Sequence, residues 1–339
     1  MNKALFQMSP FPSLNHRQDN DVVISSRIRL ARNLKAYPFP HQMDRESALQ
    51  VWKKVSDICK DSGFDFYHLN GFSTLEKNIL VERHLISKDL LMMPYPALAL
   101  NQDESCSVMI NEEDHLRIQG FASAFALRDL WQKINAIDDT FGERLEYAYH
   151  DTLGYLTACP SNLGTGLRAS VMLHLPLHDM TGESKELSKL YQYGVAIRGA
   201  YGEGSKAIGH IYQISNQKTL GKSESELIQT VEEVAKKLIQ RERDLRKALV
   251  DKHHLAVMDK VYRAYGVLSQ TRLLSEEEAI EKISLLRLGH SMGIFQALDY
   301  EILDRAMLMA KNAYVHYHGA HEENKEKFRA DIIRELLKD

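Results

Sequence analysis

The sequence predicts an α+β fold: a mainly antiparallel sheet flanked by helices, followed by a C-terminal all-α domain. Three observations carry this expectation. Between residues 21 and about 245, short segments rich in β-branched and apolar residues (107–110, 171–175, 210–215) alternate with stretches of helical periodicity. A long helix then starts at Ser223-Glu224-Ser225-Glu226, where serine and glutamate three apart can satisfy each other's orphan amides. Beyond it the strand pattern disappears.

Residues 1–20 are polar, contain Pro10 and Pro12, and read as a loosely ordered lead-in. After Val22-Val23-Ile24, Arg27 and Arg29 sit two apart on a strand-like stretch and leave one face, whereas Arg32 follows out of that spacing and reads as structural. Residues 51–59 read as a helix that buries Cys59, and Cys106 opens an apolar strand ending at Ile110. Asn111-Glu112-Glu113-Asp114-His115 is a turn whose three adjacent acids repel one another unless cations, a metal or substrate neutralise them. Leu116-Arg117-Ile118 re-enters a sheet with Arg117 directed at something anionic. Phe125, Leu127, Leu130, Ile134 and Ile137 mark an amphipathic helix.

Cys159-Pro160-Ser161-Asn162-Leu163-Gly164-Thr165-Gly166-Leu167-Arg168 is a glycine-rich turn running into a strand. It reads either as a tight hairpin or as backbone brought close to a ligand. No Gly-Lys-Ser/Thr follows, so it is no Walker loop, and the strand after it excludes a dinucleotide fingerprint. Arg198 closes the apolar stretch 194–197, and Tyr201-Gly202-Glu203-Gly204-Ser205 presents a carboxylate between glycines, as a closing lid would. The helix from Ser223 carries Leu227, Val231, Val234, Leu238 and Leu245 to about residue 250. Ser275-Glu276-Glu277-Glu278 opens another helix, and residues 325–337 are helical. The expected division is a lead-in (1–20), a catalytic domain (21–248) and a helical domain (249–339).

With 339 residues the chain can bury a substantial core in two domains. A net charge of -3 and a pI near 6.6 give no bulk basicity for direct nucleic-acid binding. No apolar run reaches membrane-spanning length and the start lacks a signal peptide's apolar stretch, so a cytoplasmic protein is expected. The three cysteines form no disulfide framework. Cys159, ahead of a proline and a glycine-rich turn, is the one read as functional, and no residue is assigned to a protein-held metal.

Arginine donors match phosphate oxygens in pairs, so five arginines in four short segments suggest a cage for a polyphosphate. The segments 25–33, 111–119, 198–205, 214–217 and 219–223 together resemble the bacterial protein-arginine kinases of the phosphagen (guanidino) kinase superfamily. That resemblance covers about residues 20–290 and implies the guanidino kinase catalytic fold, ATP with Mg²⁺, and phosphoryl transfer to a guanidinium nitrogen. It implies that Arg27, Arg29, Arg117, Arg168 and Arg198 clamp the phosphates. Ser25, Ser26, Ile28, His84, Ala169, Ser170, Val171, Met172, Gly199, Ala200, Tyr201 and Gly202 would line the nucleotide. Glu113 would be the catalytic carboxylate, Glu203 its partner on the lid, and Cys159 would lie against the substrate guanidinium. Ser161 stands where the family usually has threonine, which keeps a hydroxyl.

Arg27 has only 26 residues before it, which leaves no room for the helical domain that precedes this arginine in kinases of free guanidino metabolites. A more open acceptor site is therefore expected, taking accessible arginines of protein substrates. The resemblance further implies marking of proteins for a Clp-type chaperone, an activator protein, and a homodimer formed through the C-terminal domain. The family's phosphoarginine-binding Arg-Asp-x-x-Arg-Ala motif aligns with Lys325, Glu326, Arg329 and Ala330, where lysine and glutamate replace its first two residues. Arg243-Asp244-Leu245-Arg246, inside the long helix, reads as a coincidental match. The alternatives are a kinase for a small free guanidino compound and a catalytically silent adaptor.

Overall fold

The computed structural model describes residues 19–200, 207–295, 297–319 and 322–338. Its strands are β1 (Val23–Arg32), β2 (Phe64–His68), β3 (Ala97–Asn101), β4 (Cys106–Ile110), β5 (Leu116–Ser123), β6 (Tyr149–His150), β7 (Gly154–Tyr155), β8 (Leu167–His174), β9 (Val195–Gly199) and β10 (Ile211–Asn216). Eight of them form one antiparallel sheet ordered β2-β3-β4-β5-β1-β8-β10-β9, while β6 and β7 make a separate ribbon. The helices are α1 (Arg45–Ser62), α2 (Thr74–Glu82), α3 (Leu127–Gly142), α4 (Pro176–Met180), α5 (Glu224–Gln270), α6 (Glu276–Ser291), α7 (Tyr300–Met309), α8 (Asn312–Tyr317) and α9 (Lys325–Leu336). Every strand lies before α5, so the α+β core and helical C-terminal region are as the sequence predicts.

The sheet has two unlike faces because side chains alternate along each strand. One face carries Ile28, Leu30, Ala169, Val171 and Ile214, buried with apolar residues of α3 and α5 in the main core. Burying that face under helices leaves the other to hold polar residues, and there the arginines stand. Cys59 and Cys106 are buried, and burial pushes their thiols up to about 12 and about 11, the inert thiols expected.

Arg32 takes the structural role expected of it, whereas α5 is longer than expected. Arg32, although on β1, faces away from Arg27 and Arg29 and is almost fully buried. Its Nε and Nη2 donate to Asp138 of α3 at 2.6–3.1 Å, its Nη1 donates to Thr165 O at 2.9 Å, and Tyr155 covers it. Removing one partner of a buried pair leaves the other charge uncompensated, so Asp138→Ala should lower stability by about 3–5 kcal/mol in urea denaturation. A loss below about 1 kcal/mol would show the pair to be dispensable.

The reciprocal Ser223–Glu226 cap opens α5 as expected, but the helix continues to Gln270 instead of stopping near 250. Val257, Val261, Ala264 and Leu268 continue the helical spacing and join cores with α4, α6, α7 and α9. The expected division at 248/249 therefore falls inside one unbroken helix. Arg243 and Arg246 on that helix hold Asp21, and Arg243 also holds Asp19 (2.5–2.8 Å), so these arginines anchor the segment leading into β1.

Candidate active site

Strand register puts the five predicted arginines on one face. Across β1, Arg29 is paired with Arg168 of β8 on one side and Gln119 of β5 on the other; Ala31 is paired with Arg117. Ser170 pairs with Ser215 of β10, and Gln213 of β10 with Arg198 of β9. Directly paired residues share a face, so Ser25, Arg27, Arg29, Arg117, Arg168, Ser170, Met172 and Arg198 do. Four expected lining residues do not: Ile28, Ala169 and Val171 are fully buried in the core opposite, and Ser26 donates to Ala124 O (2.8 Å) at the entry to α3. The one-residue step of a strand forces this, so they can offer a ligand backbone but no side chain. Gly199 ends β9, and Ala200 lines a cavity together with His84. Tyr201, Gly202 and Glu203 lie outside the described residues.

A buried carboxylate, Glu112 on Arg117, relieves the face, which remains crowded with cations. Burial, and then the neighbouring Arg117, pull the Arg27 guanidinium down to about 9. Burial and then Arg27 hold Arg29 well below the ordinary arginine range, and burial with Arg198 lowers Arg168. Because arginine keeps its proton in proteins, burial first and like-charge crowding second both favour a bound anion here. Arg168 donates through Nη2 to a neutral hydroxyl, Ser215 Oγ, at 3.2 Å, and among the described residues the buried Nε atoms of Arg27, Arg29 and Arg168 have no hydrogen-bond partner. Burial likewise depresses His84 to about 3, so it stands neutral beside Arg27.

The acidic turn resolves into three different environments. Asn111 takes a left-handed conformation (φ 58°) and Asn111 N donates to His115 O at 3.0 Å, closing the loop between β4 and β5. Glu112 points inward, accepting from Arg117 and from Ser87. Asp114 is buried too, and its Oδ1 accepts from Asn33 Nδ2 (2.6 Å) and Ala158 N (2.8 Å), tying the turn to the residue before Cys159. Glu113 alone of the three is exposed, with Asn162 Nδ2 3.5 Å from its Oε2. Partial desolvation, and then Asp114, raise its carboxyl above the usual range against the pull of Arg117. Like-charge repulsion is thus met by the protein at two positions, leaving one exposed carboxylate at the tip.

His115 underpins this turn. Its Nδ1 accepts from Leu34 N (3.0 Å) and its Nε2 donates to Pro38 O (2.9 Å), which fixes the tautomer. Burial lowers it to about 4. The unfolded chain binds this proton below about 6.5 and the folded protein only below about 4, so stability is lost as pH falls through that window. Between pH 7 and 5 wild type should lose about 2 kcal/mol more than His115→Gln in urea melts. Equal losses would mean His115 titrates normally in the fold.

Cys159 starts a short turn, Pro160–Asn162, with Ser161 Oγ 3.0 Å from its sulfur. The glycines after it serve the protein's own backbone. At Gly164 (φ 107°) an added Cβ would lie 2.5 Å from Thr219 O, and Thr219 Oγ1 donates to Leu163 O at 2.6 Å. The segment is therefore neither a tight hairpin nor a cradle for a ligand at that glycine; it is a turn packed on residues 219–220. Asn162 of this turn reaches Glu113, and Asp114 holds Ala158, the residue before Cys159, so the turn is tied to the acidic loop between β4 and β5.

The C-terminal set separates. Arg329 is buried, with Nε donating to Ala310 O (2.6 Å), Nη1 to Leu274 O (2.7 Å) and Nη2 to Asn312 Oδ1 (2.5 Å), and Ala330 is fully buried. Glu326 is exposed at the start of α9. Lys325 lines a cavity of about 740 Å³ between α2 and the C-terminal helices, with Lys88, Lys311, His84 and Glu276. Helix packing, which the motif's spacing does not report, turns Arg329 inward.

Beyond the acids of the turn, residues to which the sequence reading gave no role hold the site together: Asn33, Ser87, Gln119, Phe121 and Ser215. Gln119 and Phe121 continue the two-residue alternation from Arg117, a signal available in the sequence.

Residues 47–245 match the ATP:guanido phosphotransferase C-terminal catalytic domain, and residues 254–339 match the protein-arginine kinase McsB C-terminal domain. The chain is 42% identical to a protein-arginine kinase of Symbiobacterium thermophilum over 94% of this chain and 93% of that one. It is 40% identical to one of Bacillus subtilis (94% and 91%) and 38% to one of Brevibacillus brevis (100% and 98%). Among solved structures, lombricine kinase superposes with a TM-score of 0.62 at 27% identity, over 72% of this chain and 71% of that one. A duplicated taurocyamine kinase from Schistosoma mansoni gives 0.62 at 26%, over 70% and 35%. On this fold, this arginine face and these relatives, the chain belongs to the ATP:guanido phosphotransferase family, within its protein-arginine kinases.

Proposed function

We propose that the protein transfers the γ-phosphoryl of ATP to arginine side chains of proteins. The observation that carries this is the single face on which Arg27, Arg29, Arg117, Arg168 and Arg198 stand together, three with buried Nε atoms that have no partner among the described residues, beside an exposed Glu113. Such a face fits a nucleotide's phosphates, which those five residues would hold, with His84, Ser25, Ser170 and Met172 beside them. Mg²⁺, held by the nucleotide's phosphate oxygens, would add charge neutralisation.

A guanidinium nitrogen is a poor nucleophile while protonated, because its pKa lies above about 12. Glu113 orients the acceptor by paired hydrogen bonds and accepts its proton as the nitrogen attacks phosphorus. The N–P bond forms while the β–γ bridging P–O bond breaks, and ADP leaves with those electrons. The arginines stabilise charge on the transferring group. Cys159 lies on the acceptor side of Glu113, and Glu203 is proposed as the second carboxylate.

Within the same proposal the chain divides functionally at 248/249, with the α5 helix joining the halves. Lys325 is the proposed anion contact in the cavity it lines. Cytoplasmic location, an activator protein, delivery of products to a Clp-type chaperone and pairing through the C-terminal domain complete this reading. No helix among the described residues is long and apolar enough to cross a membrane.

The test compares acceptors. With saturating MgATP, kcat/KM for an unfolded arginine-containing polypeptide should exceed that for free arginine by about 10²-fold or more, with acid-labile phosphate on arginine. Remote contacts along a polypeptide would help to position the reacting nitrogen. Preference for the free amino acid would place the chain among kinases of small guanidino compounds.

A further inference from the structure

Arg27 and Arg117 stand on the same face, yet the protein holds them in opposite ways. Arg117 donates to the Glu112 carboxylate. Arg27 donates through Nη2 to Gln119 Oε1, a neutral amide, and its Cζ lies 4.9 Å from the centre of the Phe121 ring. Gln119 is fully buried on β5, between Arg117 and Phe121.

The amide cannot be reversed. Gln119 Nε2 donates to Ser107 Oγ (2.7 Å), Leu85 O (2.8 Å) and His84 O (3.1 Å). Two of those partners are carbonyls that only accept, so the nitrogen must face them and the oxygen must face Arg27. The segment carrying His84 thus fixes Gln119, which fixes Arg27. A carboxylate at 119 would hold Arg27 as well but would cancel its charge and turn an oxygen toward two carbonyls. An amide orients the guanidinium and leaves its charge to an incoming anion.

We propose that Gln119 is a positioning residue for the donor phosphates, aiming Arg27 without neutralising it. This rests on the arginine face being the phosphate site. Because Gln119 acts through Arg27, removing it should matter only while Arg27 is present.

The experiment is a double-mutant cycle of wild type, Gln119→Met, Arg27→Met and the double variant, read as Kd for MgADP by calorimetry and as kcat and KM for ATP. Gln119→Met should weaken nucleotide binding about tenfold and raise KM for ATP, and any fall in kcat should be no larger than that of Arg27→Met. Arg27→Met should weaken binding at least as much, and the double variant should match Arg27→Met within about twofold. Losses that multiply in the double variant, or wild-type affinity in Gln119→Met, would overturn the inference. If Gln119→Met does not fold, Gln119→Asn, one carbon too short to reach Arg27 while bonding the carbonyls, carries the same expectations. Unchanged affinity in Arg27→Met alone would instead refute the phosphate-site reading itself.

Discussion

Glu113→Gln is expected to lower kcat for arginine phosphorylation by about 10³-fold while leaving the Kd for MgATP within about twofold of wild type. Glutamine keeps the shape and one acceptor oxygen but cannot take the guanidinium's proton. The turn should survive, because its fixed points are elsewhere: Glu112 on Ser87 and Arg117, Asp114 on Asn33 and Ala158, and His115 on Leu34 and Pro38. Glu113 is exposed, so the substitution buries no unpaired group. Measuring phosphoarginine formation and nucleotide binding on the same preparation separates chemistry from folding. A variant with near-normal turnover would remove Glu113 from the reaction and leave no other exposed carboxylate in the turn to replace it.

Arg168→Lys is expected to reduce kcat/KM for ATP by about 10²–10³-fold, although the charge is retained. Arg168 stands between Arg29, its β1 partner, and β10, whose Ser215 Oγ accepts from its Nη2 at 3.2 Å. A hydroxyl leaves the guanidinium's charge intact and most of its donors free for phosphate. Lysine supplies one ammonium and cannot present two parallel donors to a phosphate. The loss should appear in kcat as well as KM if the contact strengthens as the phosphoryl group moves. Unchanged kcat/KM would show that Arg168 stands off the phosphates.

The alternation of Arg27 with Arg29, of Arg117 with Ile118, and the helical spacing of Leu127, Leu130 and Ile134 were legible because backbone geometry sets periods of two and 3.6 residues locally. The same period could have shown that Ile28 and Ala169 face the core, and that Val257, Val261, Ala264 and Leu268 extend α5. The family motifs led to the arginines, Glu113 and Cys159 by resemblance, and no periodicity would have ranked Glu113 above its neighbours.

The sequence by itself determined the strands that carry the arginines, the helix that carries Leu127 and Ile134, and the start of α5 at Ser223. Tertiary structure alone decided which of three adjacent acids stays exposed, because the partners that bury the other two come from distant segments: Asn33 lies 81 residues from Asp114, and Ser87 lies 25 from Glu112. It also decided that Arg329 faces inward to Ala310 and Leu274, that Gly164 is required by Thr219, and that Gln119 meets Arg27 across 92 residues. Hydrogen bonds and ion pairs act over a few ångströms in space, and spacing along a chain reports which side of an element a residue occupies, while only the packed fold brings its partner there.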